Sequence, residues 1–107
     1  LGAVRPARRW YLAEGSTGEP FETLLMLANP NDVSAGVEVA LLGAQGVLGE
    51  FSLAMPAHSR LTVPLGKVLP NTSAFSTRVE ADWPVVVERA MYLHGRAGGH
   101  ASLGVPR

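Results

Sequence analysis

The sequence predicts an all-β protein: an antiparallel β-sandwich of about eight short strands, jelly-roll or immunoglobulin-like in kind. Three observations point there. Apolar and polar residues alternate with period two along most of the chain, as on strands with one buried face. Turn residues punctuate it throughout, Gly 12 and Pro 8 making 20 of 107 residues. No stretch keeps the 3.6-residue period of a helix for long enough to pack as one.

The elements follow in order. Residues 10–13 read as a short aromatic strand, and 14–20 (EGSTGEP) as a turn-rich loop. Residues 21–28 read as a central strand, with Phe21, Thr23, Leu25 and Leu27 on one face and Leu24, Met26 and Ala28 on the other. Asn29-Pro30-Asn31-Asp32 stops it, because Pro and Asx side chains favour turns. Val37, Val39 and Leu41 alternate with Glu38, Ala40 and Leu42 in the next strand, and 43–46 is a hairpin loop. Phe51, Leu53 and Met55 alternate with Glu50, Ser52 and Ala54, with Gly49 placed for a bulge.

Pro56-Ala57-His58-Ser59 turns the chain into a strand at 60–65, whose Pro64 marks an edge or an end. Residues 66–72 read as a loop with room for one helical turn at 67–69. Residues 75–82 and 85–93 read as two strands separated by Trp83-Pro84. Residues 95–99 form a Gly-rich loop, and 101–105 a last strand. Residues 1–9 are an N-terminal arm or linker, and 10–107 are a single domain.

Composition excludes several classes of function. The chain has no cysteine, which removes disulfide scaffolds, Cys-based zinc sites and a cysteine nucleophile. Its 9 basic and 9 acidic residues balance, so nothing favours a nucleic-acid partner. No apolar run is long enough to span a membrane as a helix. The chain begins at Leu1 without an initiator Met or a leader, as a processed form or a piece of a longer protein would.

Catalytic and metal motifs are equally thin. In residues 99–104 (GHASLG) one residue too many separates the first Gly from the Ser, and the strand-to-helix context of a nucleophile elbow is missing. His58, His94 and His100 lie in separate turns without metal-ligand spacing. Gly15-Ser16-Thr17-Gly18 lacks the Lys and the helix of a phosphate loop. The expectation is therefore no enzyme, no metal and no cofactor.

Binding candidates are better defined. Trp10 and Tyr11 are strand neighbours, so one belongs to the core and the other outside. Trp83 is a second candidate aromatic anchor. Arg89 lies among apolar residues of its strand, and Glu88 and Tyr92 lie on the opposite face. A charge on a packed face needs a partner. Glu14 and Glu22 are candidates for Arg89, and Arg78 for Glu88. Trp10, Tyr11, Glu14, Trp83, Arg89 and Tyr92 are thus the candidate interface or ligand residues.

Five motifs occur in fixed order: residues 10–15 (WYLAEG), 29–31 (NPN), 56–60 (PAHSR), 84–92 (PVVVERAMY) and 99–100 (GH). This order resembles a repeat of roughly 100 residues, the size of one domain, found in tandem in secreted and surface proteins of actinobacteria and related phyla. The resemblance implies a structural or adhesive role without assigned chemistry. Trp10, Ala13, Glu14 and Gly15, with Pro56-Ala57 and Pro84-Val85-Val86-Val87, also resemble the sensory rhodopsin transducer family. That family implies a β-sandwich assembled as tetramers.

The expectation is a non-enzymatic extracellular or cell-surface module that self-associates or stacks in tandem, as part of a filament or adhesin. Its partners would be copies of itself or adjacent repeats, with residues 1–9 as a contacting arm. The alternatives are a carbohydrate or small-ligand binding module, and a soluble transducer-like oligomer.

Overall fold

The period-two pattern becomes alternating burial. Along residues 21–28, Thr23, Leu25 and Leu27 are buried, while Glu22, Leu24, Met26 and Ala28 are half-buried on the other face. The structure, a computed structural model, describes residues 5–18, 21–93 and 101–103. Within them lie seven strands: β1 (Ala7–Ser16), β2 (Phe21–Ala28), β3 (Ala35–Gly43), β4 (Gly46–Met55), β5 (Arg60–Pro64), β6 (Ser73–Leu93) and β7 (Ala101–Leu103). A 3-10 turn at Leu65–Lys67 follows β5.

All pairings are antiparallel, and all seven strands belong to one sheet of order β4-β3-β6-β2-β5, with β1 and β7 also on β6. The N-terminal part of β6 lies between β1 and β3, and its C-terminal part between β2 and β7. The sheet curls into a half-barrel whose two halves share one core. The first half supplies Trp10, Leu12, Val37, Val39, Leu41, Phe75 and Val79, and the second Leu25, Leu27, Val85 and Val87. The all-β antiparallel class is as expected. The strands form a continuous curled sheet rather than two separate layers, and the strands expected at 75–82 and 85–93 are one.

Trp83-Pro84 bends β6 instead of breaking it. The β3 ladder ends at Val37↔Ala81, and the β2 ladder begins at Ala28↔Val86. β1 jumps from Arg9↔Glu80 to Ala7↔Val85. Pro84 therefore sits where no ladder needs its missing N–H. Side chains serve the bend. The Gly36 N–H donates to Asp82 Oδ1 (2.8 Å), Asn31 Nδ2 donates to the Pro84 carbonyl (2.7 Å), and Trp10 Nε1 donates to the Val85 carbonyl (2.9 Å).

β1 is longer at both ends than residues 10–13, taking in three residues expected in the arm and three expected in the loop. Its C-terminal end reaches β2 because Gly15 has no side chain. A Cβ there would lie 3.3 Å from Thr23. Thr23 Oγ1 accepts the Ser16 N–H (3.1 Å) and donates to the Ser16 carbonyl (2.6 Å), which ties β1 to β2. The helical turn expected at 67–69 lies at Leu65–Lys67, where the Leu65 carbonyl accepts the N–H groups of Val68 and Leu69. The bulge expected at Gly49 is a register shift between Leu41↔Gly49 and Leu42↔Val47. The expected loop at 95–99 and the end of the last strand lie outside the described residues.

Candidate functional site

The curl leaves two outer faces that differ in chemistry. On the first half, Arg9, Tyr11, Glu38, Glu50, Arg78 and Glu80 point outward, opposite the buried Trp10, Val37, Val39 and Val79. Arg9 and Glu80 form an ion pair at 3.2 Å with both side chains well exposed. Such a pair contributes little to stability.

The outer face of the second half is a lattice of three rows. Leu24 lies between Pro64 and Ala90, Met26 between Thr62 and Glu88, and Ala28 between Arg60 and Val86. Leu24, Met26, Ala28 and Val86 remain half-buried there, and a shallow groove runs between β2, β5 and β6. The cause lies in the sequence of β2. Thr23-Leu24-Leu25-Met26-Leu27-Ala28 is apolar on both faces, as in strands covered on both sides. Only one side meets the core. The described ion pairs are Arg9–Glu80 and His58–Asp32, so Arg60 and Glu88 have no ion-pair partner among the described residues.

A polar hub holds the corner beside the bend. The buried Asn29 donates through Nδ2 to the carbonyls of Val33 (2.9 Å), Met55 (3.0 Å) and Pro56 (3.0 Å). Its Oδ1 accepts the Asn31 N–H (3.0 Å) and Asn31 Nδ2 (2.7 Å). The Asn29 N–H donates to the Ser59 carbonyl, and the His58 N–H to the Asn31 carbonyl. The Asn29-Pro30-Asn31 and Pro56-Ala57-His58-Ser59 motifs thus form one hydrogen-bonded joint between strands. Next to it, Trp83 (43% exposed) and Val33 (42%) flank a shallow groove with Pro30, Asn31 and Asp32. Asp32 Oδ1 is 2.7 Å from His58 Nε2.

The sequence-derived candidates do not converge. Trp10 is buried in the core with its indole N–H bonded to main-chain carbonyls, and Tyr11 is 61% exposed on the charged face. Trp83 is exposed at the bend, and Glu14 is exposed on β1. Tyr92 is half-buried on the apolar outer face, across from Glu22. Arg89 is half-buried and donates through Nη1 to the main-chain carbonyls of Ala13 and Glu14. Those carbonyls fall in the register shift between Leu12↔Thr77 and Gly15↔Phe75, where β1 leaves its ladder. The bulge thus offers Arg89 main-chain acceptors at that point, one of them the carbonyl of Glu14. Arg78 and Glu88 do not pair, since they lie far apart along the single strand β6. The apolar lattice around Met26 is not among the sequence-derived candidates, although the double-faced apolarity of β2 signals it.

No group of three or more His, Cys, Asp or Glu that could hold a metal occurs among the described residues. No helix among them is long and apolar enough to cross a membrane.

The sequence matches no family model and no curated protein. The solved structures similar to it in fold include these two. The crystal structure of Thermotoga maritima 1070 superposes with a TM-score of 0.83 at 17% identity, covering 95% of this chain and 94% of that one. The Anabaena sensory rhodopsin transducer superposes with a TM-score of 0.70 at 21% identity, covering 82% of this chain and 99% of its own. The chain is thus a small β-protein similar in fold to a sensory rhodopsin transducer.

Proposed function

We propose that this protein is a non-enzymatic β-module that assembles with copies of itself through the outer face of β2, β5 and β6. The observation that carries the reading is the apolar lattice of Leu24, Met26, Ala28 and Val86 facing outward. A contiguous outward-facing apolar surface with a polar rim is characteristic of protein contacts. A second copy suits the face because the face is self-complementary in charge. A two-fold axis running along β2 lays Arg60 of each copy over β6 of the other, beside Glu88. A zero net charge keeps long-range repulsion between copies low.

A binding role is favoured over catalysis by the polar side chains themselves. His58 and Asp32 are within hydrogen-bond distance, but the neighbouring Ser59 hydroxyl donates to the Pro56 carbonyl (2.7 Å). No nucleophile therefore faces that pair among the described residues. The fold likeness to a sensory rhodopsin transducer supports an assembling, partner-binding module. The finer readings are a jelly-roll-like relation to that family and a place in a tandem array, filament or adhesin at the cell surface. They rest on the sequence motifs, and surface labelling of intact cells tests the location.

Sedimentation equilibrium of the wild type and Met26→Glu tests the contact. Assembly that is lost with the fold retained supports it, and equal assembly of the two proteins refutes it. A second reading, binding of a carbohydrate or other small ligand, is favoured by Trp83 beside Asn31 and Asp32. Glycan-array binding that disappears in Trp83→Ala supports it, and an array without signal refutes it.

A further inference from the structure

The free edges of the sheet are not equivalent. β5 has five residues, ends in Pro64 and carries Arg60, and β7 has three residues. β1 carries Arg8 and Arg9. These are the usual guards against edge pairing: shortness, proline and positive charge. β4 has ten residues without Pro, Lys or Arg, its only charge is Glu50, and the bulge at Leu48 leaves residues 49–55 as a regular edge. Among the described residues it pairs with β3 alone. Its other side therefore presents main-chain donors and acceptors, which an extended strand satisfies. Val47 (53% exposed) and Leu48 (47%) stand on this same strand, and Phe51 and Leu53 are only partly buried against the core.

We propose that β4 pairs antiparallel with β4 of a second copy, about a two-fold axis at Phe51. This rests on the self-association reading above and adds a second seam to it. Residues opposite each other in an antiparallel pair point to the same face. The inner residues of the two copies must therefore oppose each other, which allows a two-fold axis only at a residue. At Glu50, the mid-strand alternative, the two glutamates would stand directly opposite, which is unfavourable. At Phe51, Glu50 faces Ser52 of the other copy. Gly49 then faces Leu53, and the two Phe51 rings meet at the lip of the core. Pairing about this axis spans residues 49–53, which lie clear of the bulge at Leu48. Combined with the face contact, this seam gives two isologous interfaces on different surfaces, which generate a closed tetramer or an open filament.

The register makes a charge test available at an exposed position. Sedimentation equilibrium would compare the full chain with Ser52→Glu, Ser52→Lys and the double variant Glu50→Lys/Ser52→Glu. All would also be made in the Met26→Glu background, so that association at the edge is measured alone. Two symmetric cross-strand pairs change the association constant by a factor of about 2 to 30. Ser52→Glu is expected to weaken association by that factor, Ser52→Lys to strengthen it, and the double variant to return it to within about twofold of the parent. Far-UV circular dichroism checks the fold. If the wild type assembles and the Ser52 variants match it, the β4 seam is wrong and the self-association reading stands. A wild type that stays monomeric overturns both.

Discussion

The two outer faces of this sheet are built on the same strand, β6, and have opposite chemistry. Beside Arg78 and Glu80 the face is charged, and its neighbours Arg9, Glu38 and Glu50 continue the pattern. Around Val86 it is largely apolar, with Leu24, Met26 and Ala28 as neighbours and Glu88 as the one charge of β6 beside them. Both faces oppose the same core, so core packing does not account for the difference. One face has the polar-out alternation of a strand solvated on one side, and the other has the composition of a strand covered on both. The second face therefore calls for a cover, and in the proposed assembly a second copy supplies it.

The comparison can be broken most strongly at Met26. Met26→Glu puts a charge at the centre of the apolar lattice, where docking would desolvate it without a partner. Assembly is expected to weaken by roughly 100-fold or more, read by sedimentation. The residue is half-buried and faces away from the core, so the thermal midpoint should change less than for a core substitution.

The next largest effect concerns the bend that separates the two faces. Asn29→Ala leaves main-chain groups of two segments, at residues 31–33 and 55–56, without their partner. A loss of about 2–4 kcal/mol in urea unfolding is expected, through folding and not through the surface itself. An unchanged stability would remove the hub from its role as the joint.

A charge exchange across the face is smaller. Arg60→Glu or Glu88→Arg alone should weaken assembly by about 3- to 10-fold, and the two together should restore it, as a double-mutant cycle at a rim pair would show. Smallest is Arg9→Ala on the charged face. Its ion pair with Glu80 is exposed, so stability should change by about 0.5 kcal/mol or less and assembly not at all.

Much of this fold is legible in the sequence. The inner faces of β2 and β4 are legible, with Thr23, Leu25 and Leu27 buried and Phe51, Leu53 and Met55 turned to the core, whereas Leu61 on the expected inner face of β5 is exposed. The union of 75–82 with 85–93 is not legible, because Trp83-Pro84 breaks a strand only where a ladder needs the proline N–H. Whether Asp82, Asn31 and Trp10 stand ready to replace that ladder depends on residues far apart in sequence. Arg89 is legible as a side chain in need of a partner. That main-chain carbonyls exposed by a bulge in β1 are among its acceptors is not legible. The two apolar faces of β2 mark a central strand, which it is. What stays hidden in the sequence is that the curl of β6 turns one of those faces outward.

The central claim is that the apolar outer face is a contact between copies. Sedimentation equilibrium of wild type and Met26→Glu across a concentration series tests it most directly. An assembled wild type and a smaller Met26→Glu species, with matching circular dichroism, are the predicted result. A monomeric wild type, or a Met26→Glu protein that assembles as the wild type does, would contradict it.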